Sequence, residues 1–109
     1  MVEAQRGEIW WVRLDPTLGS EIAKTRPCVI LSGDVFNNLR RTVVVIPLSS
    51  SPQPGYPLLV PIQCDGREVV AVTDQIRAIA KQRLNRRLGE LSSEDLKAVE
   101  QGVREVLEL

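Results

Sequence analysis

Hydrophobic and polar positions along the chain change period twice, and the changes divide it into elements. Residues 7–14 (GEIWWVRL) are rich in aromatic and branched side chains and predict a β-strand, with Trp10 and Trp11 on opposite faces. The DPTLGS stretch that follows is turn chemistry, and the loop it opens runs to Lys24 or Thr25. Residues 27–32 and 42–48 are short apolar runs of the kind found in strands buried on both faces, with room for one helical turn between them at 33–41. A loop is expected over 49–55 (SSSPQPG), then strands over 57–62, 69–73 and 75–79.

Beyond residue 90 the period becomes helical. Ser92 or Ser93 caps a helix whose apolar positions Leu96, Val99, Val103, Val106 and Leu107 recur with the helical repeat. Gly102 weakens that helix by about 1 kcal/mol relative to alanine, so its packed face has to compensate. Five or six short strands and one closing helix predict an α+β fold with a small barrel. No repeat, linker or low-complexity tract divides the 109 residues, so a single domain spanning 1–109 is expected.

Composition narrows the chemistry. With 43% hydrophobic and 26% charged residues the chain reads as an ordinary globular protein. Its apolar runs are too short to span a bilayer, and a cytoplasmic location is expected. The two cysteines, Cys28 and Cys64, lie in or after apolar runs, match no zinc spacing and are expected to be buried, reduced thiols. Histidine is absent, which removes the commonest general base and the commonest metal ligand together. Net charge is zero but unevenly spread. Residues 1–87 carry 12 basic and 8 acidic side chains, and residues 88–109 carry 2 and 6. The clusters Lys24, Arg26, Arg40, Arg41 and Arg77, Lys81, Arg83, Arg86, Arg87 are open to two readings, a solvated surface or a seat for a polyanion.

No catalytic triad, phosphate-binding glycine loop or acidic metal cluster appears, so catalysis would rest on Arg, Lys, Asp, Glu, Ser, Thr and backbone amides. RNA cleavage tolerates that restriction, because the 2′-hydroxyl supplies its own nucleophile. Pro27 holds Arg26 extended where a polar loop enters a buried strand. Ser49 and Ser50 end the central apolar strand, either as plain loop residues or as hydroxyl donors. Asp74, set between Thr73 and Gln75 inside an apolar stretch, is a turn former or a carboxylate kept for its charge.

The series GEIWWVRLDPTLGSE, KTRPCVIL, Val45–Ser50, Gly55-Tyr56-Pro57 and Asp74-Gln75 resembles the MazF/PemK/Kid-type toxins in order and over nearly the whole chain. The resemblance implies an SH3-like β-barrel with a C-terminal α-helix. It further implies a homodimer acting on single-stranded RNA (mRNA) as a sequence-specific endoribonuclease, without metal or cofactor, inhibited by a cognate antitoxin. Arg26 matches the family's catalytic arginine, and Ser49 stands where its catalytic threonine would be. Asp74 matches an acidic residue implicated in cleavage, Glu21 the loop glutamate, and Ser50 a further hydroxyl. An arginine of Kid-like members falls on Val72 and is missing. The implied catalytic set is Arg26, Ser49, Asp74 and Glu21, either carboxylate serving as base. Ser20, Lys24, Thr25, Ser50, Gln75 and Arg77 are the expected substrate contacts. A binder of RNA or antitoxin that cleaves nothing, and a CcdB-like gyrase inhibitor on the same fold, are the alternatives.

Overall fold

A computed structural model describes residues 3–50, 55 and 57–109, so the expected loop at 49–55 lies mostly outside the described residues. Strands β1 (Glu8–Arg13), β2 (Thr25–Ile30) and β3 (Thr42–Ser49) are followed by β4 (Leu59–Cys64), β5 (Arg67–Val72), β6 (Arg77–Ala80) and β7 (Leu84–Glu90). Helix α1 (Asp34–Leu39) lies between β2 and β3, and α2 (Ser93–Leu107) closes the fold. Every pairing is antiparallel. The strands run in the order β4-β5-β3-β2-β1-β7, with β6 added to β3. The result is an α+β fold: a curled sheet forming a half-barrel, with the helix on its outside. No helix among the described residues is long and apolar enough to cross a membrane.

Two cores follow from the alternation of side chains along the central strands. Inside the curl lie Trp10, Val12, Leu14, Cys28, Ile30, Val43, Val45, Ile79 and Leu84. Outside it, Ile9, Val29, Ile46 and Leu48 meet the β4–β5 hairpin and Val99 and Val103 of α2. Each fully buried Val, Leu or Ile contributes about 1.5–3 kcal/mol, so β2 and β3, buried on both sides, hold both layers together. Strand β7 has no signature in the hydrophobic pattern because of its polarity. Of its seven residues only Leu84 is buried, and its sequence LNRRLGE looks like a charged loop. The two tryptophans on opposite faces of β1 leave little apolar surface uncovered, since Trp10 is buried and Trp11 half-buried.

Helix α2 begins as predicted, with the Ser92 hydroxyl accepting the Asp95 N–H at 3.1 Å. The Asp95 carboxylate in turn accepts Gln63 N–H of β4 at 2.9 Å and ties the helix start to the sheet. Leu107 is 47% exposed and does not join the packed face. Gly102 turns out to be required. A Cβ there would lie 2.9 Å from Val60 Cγ2, 3.0 Å from the Pro57 carbonyl and 3.2 Å from Thr73 Cγ2. The lower helix propensity is offset by this close seat on β4 and on the 3-10 turn Thr73–Gln75.

One carboxylate is buried. Glu8 accepts hydrogen bonds from Trp10 Nε1 at 3.0 Å, Gln5 N–H at 2.8 Å and Arg87 Nε at 2.8 Å. Burial alone would push its pKa up. The bonds from Trp10, Gln5 and Arg87, with the Arg87 charge, hold it below the ordinary carboxylate value instead.

Gly102→Ala gains about 1 kcal/mol of helix propensity but overpacks a seat where such strain costs about 1–3 kcal/mol. Urea melts should find it net destabilised or, at best, neutral, and a clearly stabilised variant would contradict this packing. Because the folded pKa of Glu8 is lowered, its ionised form adds stability above the unfolded value near pH 4–5, and that stability disappears as pH falls through the folded value. Glu8→Gln should therefore cost about 1–3 kcal/mol at pH 7 and much less near pH 3.

Candidate active site

The two cores leave the strand ends as the place for polar side chains. On β2, residues 26, 28 and 30 share the inner face, since Cys28 and Ile30 belong to the inner cluster. On β3 the inner positions are 43, 45, 47 and 49 by the same alternation. Cys28 is paired with Pro47, and the same register carried two residues further sets Arg26 across from Ser49. Arg77 faces the same way as Ile79 on β6 and pairs with Val45. Arg26, Ser49 and Arg77 thus share the inner face at one end of the half-barrel. All three are half-buried. Arg26 is held by its Nε donating to the Ala23 carbonyl at 3.1 Å, and neither arginine forms an ion pair among the described residues. Ser50 is exposed just beyond β3.

The loop between β1 and β2 borders this end. It opens with a cis Asp15–Pro16 bond and is closed at its base by Leu14 N–H donating to the Lys24 carbonyl at 2.8 Å. Lys24 takes a left-handed conformation, φ 69°, just before Thr25 starts β2. Arg83 Nη1 donates to the carbonyls of Arg13, at 3.1 Å, and Asp15, bracing the base from below. Nothing in the sequence announces this brace, because its acceptors are backbone groups far away in the chain. Ser20, Lys24 and Thr25 are exposed along the loop.

The two candidate carboxylates differ in what they already do. Glu21 folds back on its own turn, its Oε1 accepting Leu18 N–H at 2.6 Å while its N–H donates to the Leu18 carbonyl at 3.1 Å. Asp74 is exposed at the middle of the 3-10 turn Thr73–Gln75 and has no side-chain hydrogen bond or ion pair among the described residues. That turn is fixed from both sides. Thr73 is fully buried, and its hydroxyl faces the carbonyls of Pro57 and Leu58 at 2.7 and 3.1 Å. Gln75 Oε1 accepts Ile22 N–H at 3.4 Å, linking the turn to the β1–β2 loop. In the sequence Thr73 is only one more β-branched residue after a strand, and no signal there marks its role.

Two guanidiniums, hydroxyl groups and an uncommitted carboxylate around one end of the half-barrel suit an anion better than a metal. Among the described residues no three His, Cys, Asp or Glu side chains are grouped to hold a metal ion. The fold and this rim define a small α+β half-barrel protein with two arginines and a serine at one end of its inner face.

A family described as PemK-like, MazF-like toxins of type II toxin–antitoxin systems matches residues 5–107. The chain belongs to that family. It is 36% identical over 114 residues to Endoribonuclease MazF9 of Mycobacterium tuberculosis, covering 96% of this chain and 97% of that one. The fold matches a crystal structure of MazF from Deinococcus radiodurans with a TM-score of 0.88 at 23% identity, over the full length of both chains. It also matches an endoribonuclease in complex with its cognate antitoxin from a mycobacterial species, with a TM-score of 0.82 at 20% identity, over 97% of this chain and 96% of that one.

Cys28 sits on the inner face between the two arginines, a position that invites a nucleophilic reading. Burial pushes its pKa up to about 12, against the opposing fields of Arg77 and then Arg26. The thiol stays protonated near neutrality and serves as packing. Cys64 is also raised, by burial and by Asp65. Both cysteines are free and buried. A thiol-reactive dye at pH 8 should label neither in the native protein and both in urea. Rapid native labelling of Cys28 would show that the mouth is more open than this packing allows.

Proposed function

We propose that this chain is a single-domain endoribonuclease that cleaves single-stranded RNA and is held inactive by a cognate antitoxin. It acts in the cytoplasm on mRNA. The observation that carries this reading is the position of Arg26 and Ser49 on the inner face just beyond the end of the β2–β3 ladder, where its register extended sets them across from each other, beside Arg77. A phosphodiester seated there meets two cations and a hydroxyl at once. The relatives' names support the same activity.

The reaction needs no external nucleophile. The 2′-oxygen attacks phosphorus and forms the new P–O bond as the bond to the 5′-oxygen breaks. The products are a 2′,3′-cyclic phosphate and a 5′-hydroxyl. Asp74 takes the 2′-proton. Glu21 is the weaker candidate, because its carboxylate already closes the Leu18–Glu21 turn. Arg26 and Ser49 hold the non-bridging oxygens as charge grows on phosphorus. The leaving oxygen receives its proton from water or a hydroxyl, since a guanidinium pKa above about 12 makes Arg26 a costly donor. Ser20, Lys24, Thr25, Ser50, Gln75 and Arg77 contact the RNA around the scissile phosphate. No divalent ion is required. The Arg26, Ser49 and Asp74 arrangement has no evident use in a gyrase inhibitor.

The active unit is a homodimer. Its support is the apolar surface left by Val35 of α1 and by Leu107 and Leu109 at the end of α2. The acidic helix α2 packs on the outer core, on the side of the sheet away from Arg26 and Arg77, so its carboxylates stand apart from the substrate.

Cleavage of a long single-stranded RNA should proceed in EDTA, and rescue only by Mg²⁺ or Mn²⁺ would defeat this mechanism. Arg26→Ala should lose at least about 3 kcal/mol of transition-state stabilisation, over a hundredfold in rate. Ser49→Ala should slow cleavage, while Ser49→Thr should keep or raise it. Asp74→Asn should slow cleavage across the pH range with RNA binding retained. Normal rates in Arg26→Ala would move the active site elsewhere.

A further inference from the structure

Away from the mouth, a second cationic site lies at the other end of the β3–β6 ladder. A groove of about 510 Å³ opens where α1 leads into β3 and β6 ends, lined by Asn38, Arg40, Arg41, Thr42, Lys81 and Gln82 with the apolar Leu39 and Ala80 between them. No carboxylate lines it among the described residues. Arg40, Arg41 and Lys81 likewise take part in no ion pair among those residues, so the groove holds three uncompensated charges. Cations of this kind are normally found beside acidic neighbours, or solvated and spread over a convex surface.

The groove is built rather than incidental. Asn37 is buried, and its side-chain amide donates to the carbonyl of Ser32, just after β2, at 2.9 Å, while the Ser32 hydroxyl accepts Val44 N–H of β3 at 3.0 Å. The Asn37 carbonyl accepts the Lys81 ammonium, which is thereby held at the groove wall. The Arg41 carbonyl accepts Lys81 N–H at 2.9 Å and closes the end of the ladder. The wall is therefore rigid, while the Arg40 and Arg41 side chains are exposed and free to reach a ligand.

Its position relative to the mouth decides the ligand class. Arg77 and Ala80 stand at the two ends of β6, about 10 Å apart at strand rise. On the inner face the buried Ile79 and Val43 separate Arg77 from the groove, so a ligand common to both sites has to cross the edge of β6, which pairs only with β3 among the described residues. Donors here are guanidinium, ammonium, amide and hydroxyl, the set that binds phosphate without reading bases. We infer that this groove is a second RNA subsite, gripping backbone phosphates of the same single strand beyond the cleaved bond. The inference rests on the RNA-cleaving reading above and extends it to substrate length. An acidic protein segment is the competing occupant. The short span along β6 to the mouth favours RNA, since one polyanion crossing that edge engages both sites.

The test is the double variant Arg40→Ala/Arg41→Ala, whose two side chains make no hydrogen bond within the protein among the described residues. Cleavage is measured on a long single-stranded RNA and on a short oligonucleotide that just spans the scissile phosphate. The KM for the long RNA should rise at least about tenfold, with kcat unchanged and the short substrate unaffected. Direct binding of the long RNA should become less salt-dependent. Its log–log slope should be shallower by roughly 1 to 1.5, at about 0.7 for each phosphate no longer neutralised. Lys81→Ala should act in the same direction. Repeating the binding measurement in Arg26→Ala protein separates the two claims. Failure of Arg26→Ala to stop cleavage strikes the active-site reading, whereas an unchanged salt slope strikes the groove. Equal losses on short and long RNA overturn the inference. So does a double variant that binds RNA normally but no longer binds an acidic peptide or no longer dimerises.

Discussion

Burial of β2 and β3 on both faces is the constraint from which the rest of the molecule follows. Val29, Ile46 and Leu48 are committed to the outer core, while Cys28, Ile30, Val43 and Val45 are committed to the inner one. A strand buried twice has no solvent face on which to carry a charge. Polar chemistry is pushed to where the strands run out, and Arg26 is the second residue of β2 and Ser49 the last of β3. The same constraint makes their geometry stiff. Arg26 is held in the β1–β2 ladder across from Val12 and Ser49 in the β3–β5 ladder across from Val70, and the β2–β3 register between them cannot slip, because a one-residue shift would exchange the two cores.

The same double burial explains how much of the molecule is legible in its sequence. The apolar runs at 27–32 and 42–48 announce two-sided strands, and the helix cap at Ser92 and its 3.6-residue repeat announce α2. Arg26 is visible because Pro27 marks the entry to a strand. Strand β7 is not, because it pairs on the rim with only Leu84 buried, so backbone pairing rather than side-chain pattern defines it. Arg83 and Thr73 are also hidden, since each acts through backbone carbonyls that only the folded chain brings near. Gly102 reads as a weakness of the helix, and its reason appears only where Val60, Pro57 and Thr73 crowd the missing Cβ.

The close seat of Gly102 also links the helix to the candidate chemistry. Helix α2 rests on Thr73, whose hydroxyl is tied to the segment before β4, and the next residue is Asp74. On the other flank Gln75 is bonded to Ile22 of the β1–β2 loop. An exposed carboxylate on a turn held at both sides keeps its position without internal hydrogen bonds of its own. That is the condition a proton acceptor needs, since bonds that stabilise the carboxylate also lower its basicity. The Glu21 carboxylate, by contrast, is already engaged in accepting the N–H that closes its turn.

Serine at position 49 bears on the same question of rigidity. A threonine methyl restricts χ1, so the family's usual residue arrives with its hydroxyl partly oriented. Serine lacks that restriction and has to be oriented by its surroundings instead. Position 49 is half-buried and still within the ladder, paired with Val70 of β5. Its backbone is therefore as fixed as a threonine's would be, and the two residues differ in the methyl that restricts χ1. Confining one rotor costs a fraction of a kcal/mol to about 1 kcal/mol, on the scale of side-chain entropies. That cost is small beside the contribution of a guanidinium in a preorganised site. The substitution is thus expected to tune the rate of the proposed cleavage, whereas the role proposed for Arg26 depends on its placement by Pro27 at the start of β2.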